Sequence, residues 1–143
     1  NMPFKLINPY RFKTKGEMVG ECSNKRLLKK MVNTTVSCSH WKRKNQQCGI
    51  CVPCLIRRSS LLKGKINERK NYIFNDITKI NDNSKQDDLI ALLIANKRKS
   101  EENIAKWILQ SGSLPSECIK DFERVFISGL SEVEVFLRSE GVI

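Results

Sequence analysis

No stretch of this sequence stays apolar for long. The longest unbroken run is Leu89–Ala95, well short of the about 20 residues a membrane-spanning helix needs, so no membrane segment is expected. No export-signal pattern stands at the start, and a cytoplasmic location is expected. Histidine is almost missing. His40 is the single one, so no Ser-His-Asp triad assembles around a choice of bases, and no paired-carboxylate hydrolase signature takes its place. Glycine is sparse, with 7 in 143 residues, and no strand, Gly-rich loop and helix follow one another as a phosphate cradle requires. Internal repeats and a series of strands are absent too. Catalytic residues are therefore not assigned.

What is abundant is positive charge, and it is unevenly placed. Residues 1–70 hold 17 Lys and Arg against 3 acids, whereas residues 71–143 hold 9 against 12. The basic half is expected to meet an anion, whether a nucleic acid, a nucleotide, a phosphate or an acidic partner. The competing reading is a solvated basic surface that also offsets a metal site. At this length one domain, or a fragment of one, is the default.

The patterning is helical. Pro3 to Phe12 reads as irregular, and Thr14-Lys15-Gly16-Glu17 fits a capping box opening a short helix to about Cys22. A second short helix fits Lys25 to Val32, and Asn33 to Gln47 reads as loop. A longer helix is expected from about Cys54 to Arg69, with Leu55, Ile56, Leu61, Leu62 and Ile66 inward. Asn71 to Lys85 reads as a connector, with Asn81-Asp82-Asn83-Ser84 its most turn-like part. Four helical stretches follow. They cover Asp87–Lys97, Glu101–Gln110 behind an N-cap at Ser100, a helix opened by Ser113 and Pro115 and closed at Gly129, and a last one behind a Ser131–Glu134 capping box, stopped by Gly141. The aromatic residues at helical spacing read as core. The expected fold is mainly α, with a zinc-knuckle segment in the N-terminal half followed by a small C-terminal helical bundle. Its divisions are a basic zinc-binding segment (1–70), a connector (71–86) and a helical region (87–143).

The six cysteines are Cys22, Cys38, Cys48, Cys51, Cys54 and Cys118. Three crowd into seven residues, as metal ligands do in a chain that can build a core without disulfide staples. Cys48, Cys51 and Cys54 form two fused Cys-x-x-Cys turns, helped by Gly49 and Pro53. Cys38 can swing back as the fourth ligand. Zinc takes four ligands tetrahedrally, and four thiolates leave no vertex for water, so the expected ion is a structural Zn²⁺. An iron–sulfur cluster is the other use of four thiolates. His40 is the alternative to Cys38 as fourth ligand. Lys42, Arg43, Lys44, Arg57 and Arg58 flank the run and can offset its negative charge. Cys22 and Cys118 read as small buried apolar residues.

Thr35-Val-Ser-Cys38 followed, after a loop, by Cys48-Gly-x-Cys51-x-x-Cys54-x-x-Arg57 closely resembles the zinc motif of the 7-cyano-7-deazaguanine synthases. Lys15-Gly-Glu17-Met-Val19 is similar to the helix preceding that motif, and the likeness covers about residues 3 to 64. Asn8-Pro9-Tyr10-Arg11-Phe12 and the helical tail resemble the divergent branch found in bacterial anti-phage defence clusters. The resemblance implies an enzyme that activates a carboxylate with ATP and converts it with ammonia to a nitrile. It also implies an N-terminal nucleotide-binding domain with a Gly-rich pyrophosphate loop. No such loop is present here, so ATP is expected only in a longer parent protein, a ligase or synthase, with that domain as the partner of this chain. In the family the zinc lies beside the substrate cleft. Arg57 and Arg58 then either face the anionic substrate or its phosphates, or balance the thiolates. Two further readings stand beside this one: a zinc-knuckle nucleic-acid-binding module and a protein-interaction domain in a defence system.

Overall fold

The computed structural model describes residues 3, 4, 6–68, 71–80, 86–100 and 103–143. Among them the chain is helical, with no strand beyond one isolated parallel bridge between Gln47 and Tyr72. The helices are α1 (Lys15–Gly20), α2 (Lys25–Met31), α3 (Trp41–Lys44), α4 (Val52–Lys63), α5 (Asp87–Arg98), α6 (Ile104–Leu109) and α7 (Ile119–Ser139). The mainly α expectation, with cysteines in the first half and helices after them, therefore holds. No described helix is long and apolar enough to cross a membrane.

The start of α1 forms as read. Thr14 Oγ1 accepts from the Glu17 N–H at 3.0 Å, and the Glu17 carboxylate accepts from the Thr14 N–H at 2.8 Å. Gly16 lets α7 come close next door: a Cβ there would sit 2.4 Å from Glu132 Oε2, and the Glu132 and Lys63 side chains would have to move. Glu132, buried on α7, accepts from the Thr14 hydroxyl, from the Gly16 N–H at 3.1 Å and from Lys63 Nζ at 2.8 Å. One carboxylate thereby joins α1, α4 and α7.

Helix α4 is central, packing on α1, α5 and α7. It starts two residues earlier than read, at Val52, whose N–H is capped from α5 by Asp88 Oδ2 at 3.2 Å. It stops at Lys63, not Arg69, which lies outside the described residues. The stop is steric and local. Gly64 lies against Val19, where a Cβ would come within 2.2 Å, and Lys65 turns left-handed at φ 54°. The N–H of Ile66 then returns to the Leu61 carbonyl at 2.9 Å, closing the helix end. Leu55, Leu61 and Ile66 are buried as expected, but Leu62 is exposed.

The second half differs from its reading in one main way. The two last helices are one, α7, unbroken across Gly129. Phe126, Leu130, Val133 and Leu137 keep one face through that glycine at spacings of four, three and four, and the last three are buried. Continuous burial outweighs the roughly 1 kcal/mol that an interior glycine costs relative to alanine. Ser131–Glu134 is accordingly helix interior, and Glu134 pairs with Lys99 at 2.6 Å and Arg138 at 2.9 Å. The N-cap of α6 is Asn103, which accepts from the Lys106 N–H at 3.0 Å, and not Ser100, which bonds the Lys97 carbonyl. Glu101 and the Asn81–Ser84 turn lie outside the described residues.

The core runs through both halves. Cys38, Cys48, Cys51 and Cys54 share a cluster with Leu89, Leu92, Leu130, Val133 and Leu137. Tyr72, Ile77 and Ile80, from the stretch read as a connector, are buried in that cluster as well.

Candidate metal centre

The residue types and turns that place the four sulfurs are local. Asn45 closes α3 in the left-handed region at φ 49°, which asparagine tolerates. The chain then runs through Gln47 and Cys48 beside the 72–74 segment. The Ile73 N–H donates to the Gln47 carbonyl and the Phe74 N–H to the Cys48 carbonyl, both at 3.0 Å. Gly49 turns at φ 88°, and a Cβ there would lie 2.6 Å from the Phe74 carbonyl oxygen and 2.8 Å from Tyr72 Cβ. Both its conformation and its close neighbours exclude a side chain. Cys51 precedes α4, and Cys54 lies in the first turn, where the partial positive charge of free N–H groups favours thiolates.

These turns bring the sulfurs of Cys38, Cys48, Cys51 and Cys54 within 4.8 Å of one another, all four residues buried. Cys48 Sγ lies 4.0 Å from Cys54 Sγ, and Cys51 Sγ 3.9 Å from Cys38 Sγ. A tetrahedron of sulfurs about 2.3 Å from a central zinc has edges of about 3.8 Å. The donor set is thus compatible with one metal ion. Backbone N–H groups already point at the sulfurs. Those of His40 and Cys48 donate to Cys38 Sγ, and that of Cys51 donates to Cys48 Sγ, each at 3.3 Å. Such bonds favour the thiolate over the thiol.

The thiols also act on one another. Hydrogen bonds with Cys48, then with Cys54, pull the Cys51 thiol far down from its ordinary value. The same bonds, with Cys48 first and Cys51 second, push Cys54 far up. Cys48 goes up, chiefly through its bond with Cys51. Four sulfurs this close cannot all carry charge unless a cation offsets it. His40 is exposed and precedes α3, and the four-sulfur set closes without it. Cys22 is half-buried and Cys118 buried, and neither is disulfide-bonded.

Arg57 and Arg58 are buried beside the centre, and their guanidinium groups meet acceptors of this same chain. Arg57 pairs with Glu68 at 2.6 Å, donates to Thr35 Oγ1 at 2.8 Å, and bonds the Val32 carbonyl. It thereby ties the segment leading into Cys38 to α4. Arg58 donates to the Gly49 carbonyl at 3.3 Å, the Asn75 carbonyl at 2.9 Å and Glu140 Oε2 at 3.0 Å. Its guanidinium lies between the Tyr72 and Phe136 rings, 5.1 and 4.9 Å from their centroids. Tyr72 in turn donates its hydroxyl to Glu68, and its phenol is pushed above its ordinary value, chiefly by burial.

Glu68, Tyr72, Glu132 and Glu140 escaped the reading of the sequence. Glu68 alone left a signal, as the first acid after Glu21 in a long basic stretch. A cavity of about 380 Å³ opens beside Cys48 and Cys51, walled by His40, Arg43, Phe74, Asp87 and Asp88. In comparisons with known proteins, no family model, no curated protein and no solved structure matches this chain.

Proposed function

We propose that the four sulfurs hold one structural zinc ion, and that the chain is the zinc-bearing C-terminal part of an ATP-dependent enzyme like the 7-cyano-7-deazaguanine synthases. The observation that supports the zinc reading is the set of four buried sulfurs within 4.8 Å of one another, two of whose separations, 4.0 and 3.9 Å, match tetrahedral edges; the enzyme reading rests on the motif resemblance. Sulfurs so close together favour a single ion over an iron–sulfur cluster, whose several irons hold their cysteines farther apart. All-thiolate ligation favours zinc over harder cations, and it leaves no position for a reacting water. The ion's part is then to fold the segment before Cys38, the knuckle and the start of α4 onto one point.

The motif residues behind the resemblance have matching roles. Gly49 sits where no side chain fits, and Arg57 ties the Thr35–Cys38 segment to α4. Activation of a carboxylate by ATP belongs, on this reading, to the longer parent with its nucleotide-binding domain. Elemental analysis of the purified chain should give about one zinc, with four thiols shielded until a chelator is added. The longer parent should exchange pyrophosphate into ATP when given 7-carboxy-7-deazaguanine, while this chain alone should not. Iron with visible absorbance, or no metal and disulfide-bonded cysteines, would refute the zinc assignment. A zinc-loaded parent inert toward ATP and that acid would refute the enzyme assignment alone.

A further inference from the structure

From Cys22 to Asn67 the sequence contains no acidic residue. Apart from Lys65, its cations fall into two sets. Arg57, Arg58 and Lys63 reach out of this stretch to Glu68, Glu140 and Glu132. Lys25, Arg26, Lys29 and Lys30 on α2, and Lys42, Arg43 and Lys44 on α3, are exposed and make no ion pair among the described residues. Those three pairs use acids from outside the stretch, and the seven cations of α2 and α3 remain exposed.

A cleft of about 390 Å³ is lined by residues that follow α2 in the chain and by Trp41 of α3, the cations themselves standing outside its lining. The segment after α2 supplies Asn33 and Thr34, the α3 side supplies Trp41, Asn45 and Gln46, and Asn71 closes the end. Its floor carries the one nearby acid, Glu68, already held by Arg57 and Tyr72. Trp41 is half-buried, packed on the core on one side and lining the cleft on the other. Arg43 and Lys44 line the other cavity, together with Asp87 and Asp88.

We propose that this cleft and its rims bind single-stranded nucleic acid, independently of the enzyme reading above. Lysines on α2 and α3 neutralise successive phosphates. Trp41 offers a surface on which an unstacked base can lie. Amides carry donor and acceptor side by side, which suits the exposed edge of a base. The cleft has room for one splayed nucleotide and none for a duplex.

The test is fluorescence anisotropy of labelled 12-nucleotide oligo-dT and oligo-U with the zinc-loaded chain, titrated in salt. Affinity should fall with salt at a log–log slope of about −3, the value for some four phosphates on a single strand. Lys29→Glu with Lys42→Glu should weaken binding at least about tenfold, since each lysine faces phosphate. Lys106→Glu with Lys120→Glu changes net charge equally, away from the cleft, and should stay within about twofold. In a Trp107→Phe background Trp41 is the sole tryptophan, and its emission should be quenched at saturation. The DNA and RNA arms show which polymer binds better. Zinc content and melting temperature serve as the folding control for every variant. Equal loss in both charge-reversed pairs, unchanged Trp41 emission, or displacement by polyglutamate at equal charge would each overturn the proposal. The last result would assign the surface to an acidic protein.

Discussion

The two halves of this molecule are held by different means. Of the seven described residues that are polar or charged and buried, six lie before residue 61, and Glu132 is the seventh. Around the knuckle the interior mixes the sulfurs, Arg57, Arg58, Ser59, Ser60 and Gln47 with apolar residues such as Ile50, Leu55 and Tyr72. Around α7 it consists of Leu130, Val133, Phe136 and Leu137. Apart from α4, the helices of that part have four to seven residues and cannot bury a broad apolar face, so directional contacts that work together supply much of its hold. A 21-residue helix with a continuous stripe needs only burial, which is forgiving of detail. The first half should therefore fail abruptly and the second gradually.

The largest effect expected is from the metal centre. On the zinc reading, binding free energy on the order of 10 kcal/mol would act as folding free energy in the segment around the four sulfurs. Chelation, or Cys51→Ser, should abolish amide-exchange protection over 35–76 first, while α7 keeps part of its own against α5 and α6. Equal loss of protection in both halves would erase the contrast, and a metal-free Cys51→Ser variant with unchanged melting would remove the structural role of the ion.

A second test sets one residue from each half side by side. Arg58→Met removes the donor that the buried Gly49 carbonyl, the Asn75 carbonyl and Glu140 share, at a cost of about 3 kcal/mol. Leu137→Ala opens a cavity in the α7 stripe at a similar cost, about 3 kcal/mol. What separates them is the metal. A competition titration with a zinc chelator should show weaker retention in Arg58→Met, because Arg58 holds Gly49 inside the knuckle, and wild-type retention in Leu137→Ala. Equal retention would mean that the knuckle does not depend on its guanidinium anchor.

Legibility follows the same division. The four cysteines, the capping box at Thr14 and the apolar residues of α4 are local patterns, and a sequence displays local patterns directly. The partners of Arg57 and Arg58 were not read from the sequence, because Glu68 and Glu140 lie 11 and 82 residues away, and only Glu68 stands out, as an acid at the end of a basic stretch. Burial of Tyr72, Ile77 and Ile80 was hidden for the same reason: an irregular segment has no period, and only the tertiary cluster it joins gives it a buried side. Gly129 misled in the opposite sense. Its local signal for a helix end was real, but the stripe on either side of it keeps one phase, and tertiary packing decided. Gly129→Ala tests that account. No atom lies within 4 Å of a Cβ built there, so alanine should stabilise the protein by about 1 kcal/mol, read as a raised melting temperature. A loss of stability would mean that the glycine is needed for its backbone after all.

The smallest effect lies at the seam between the halves. Glu17 on α1 pairs with Arg124 on α7 at 2.7 Å, at the surface. The Glu17 carboxyl is held below its ordinary 4.5, first by the hydrogen bond from Arg124 and also by the Thr14 N–H. A carboxyl with a depressed folded pKa contributes stability that is present above the unfolded value and lost as pH falls through the folded one. The contribution should therefore be complete near neutrality and fade below about pH 4.5. Glu17→Gln keeps an acceptor for the capping box and removes only the charge. The melting temperatures of wild type and variant should differ slightly at pH 7 and converge at pH 3, and 1 M salt should shrink the neutral-pH gap by screening an exposed pair. A gap that persists at pH 3 would place the role of Glu17 in its geometry instead of its charge, and the seam would then be held as the knuckle is, by shape and direction.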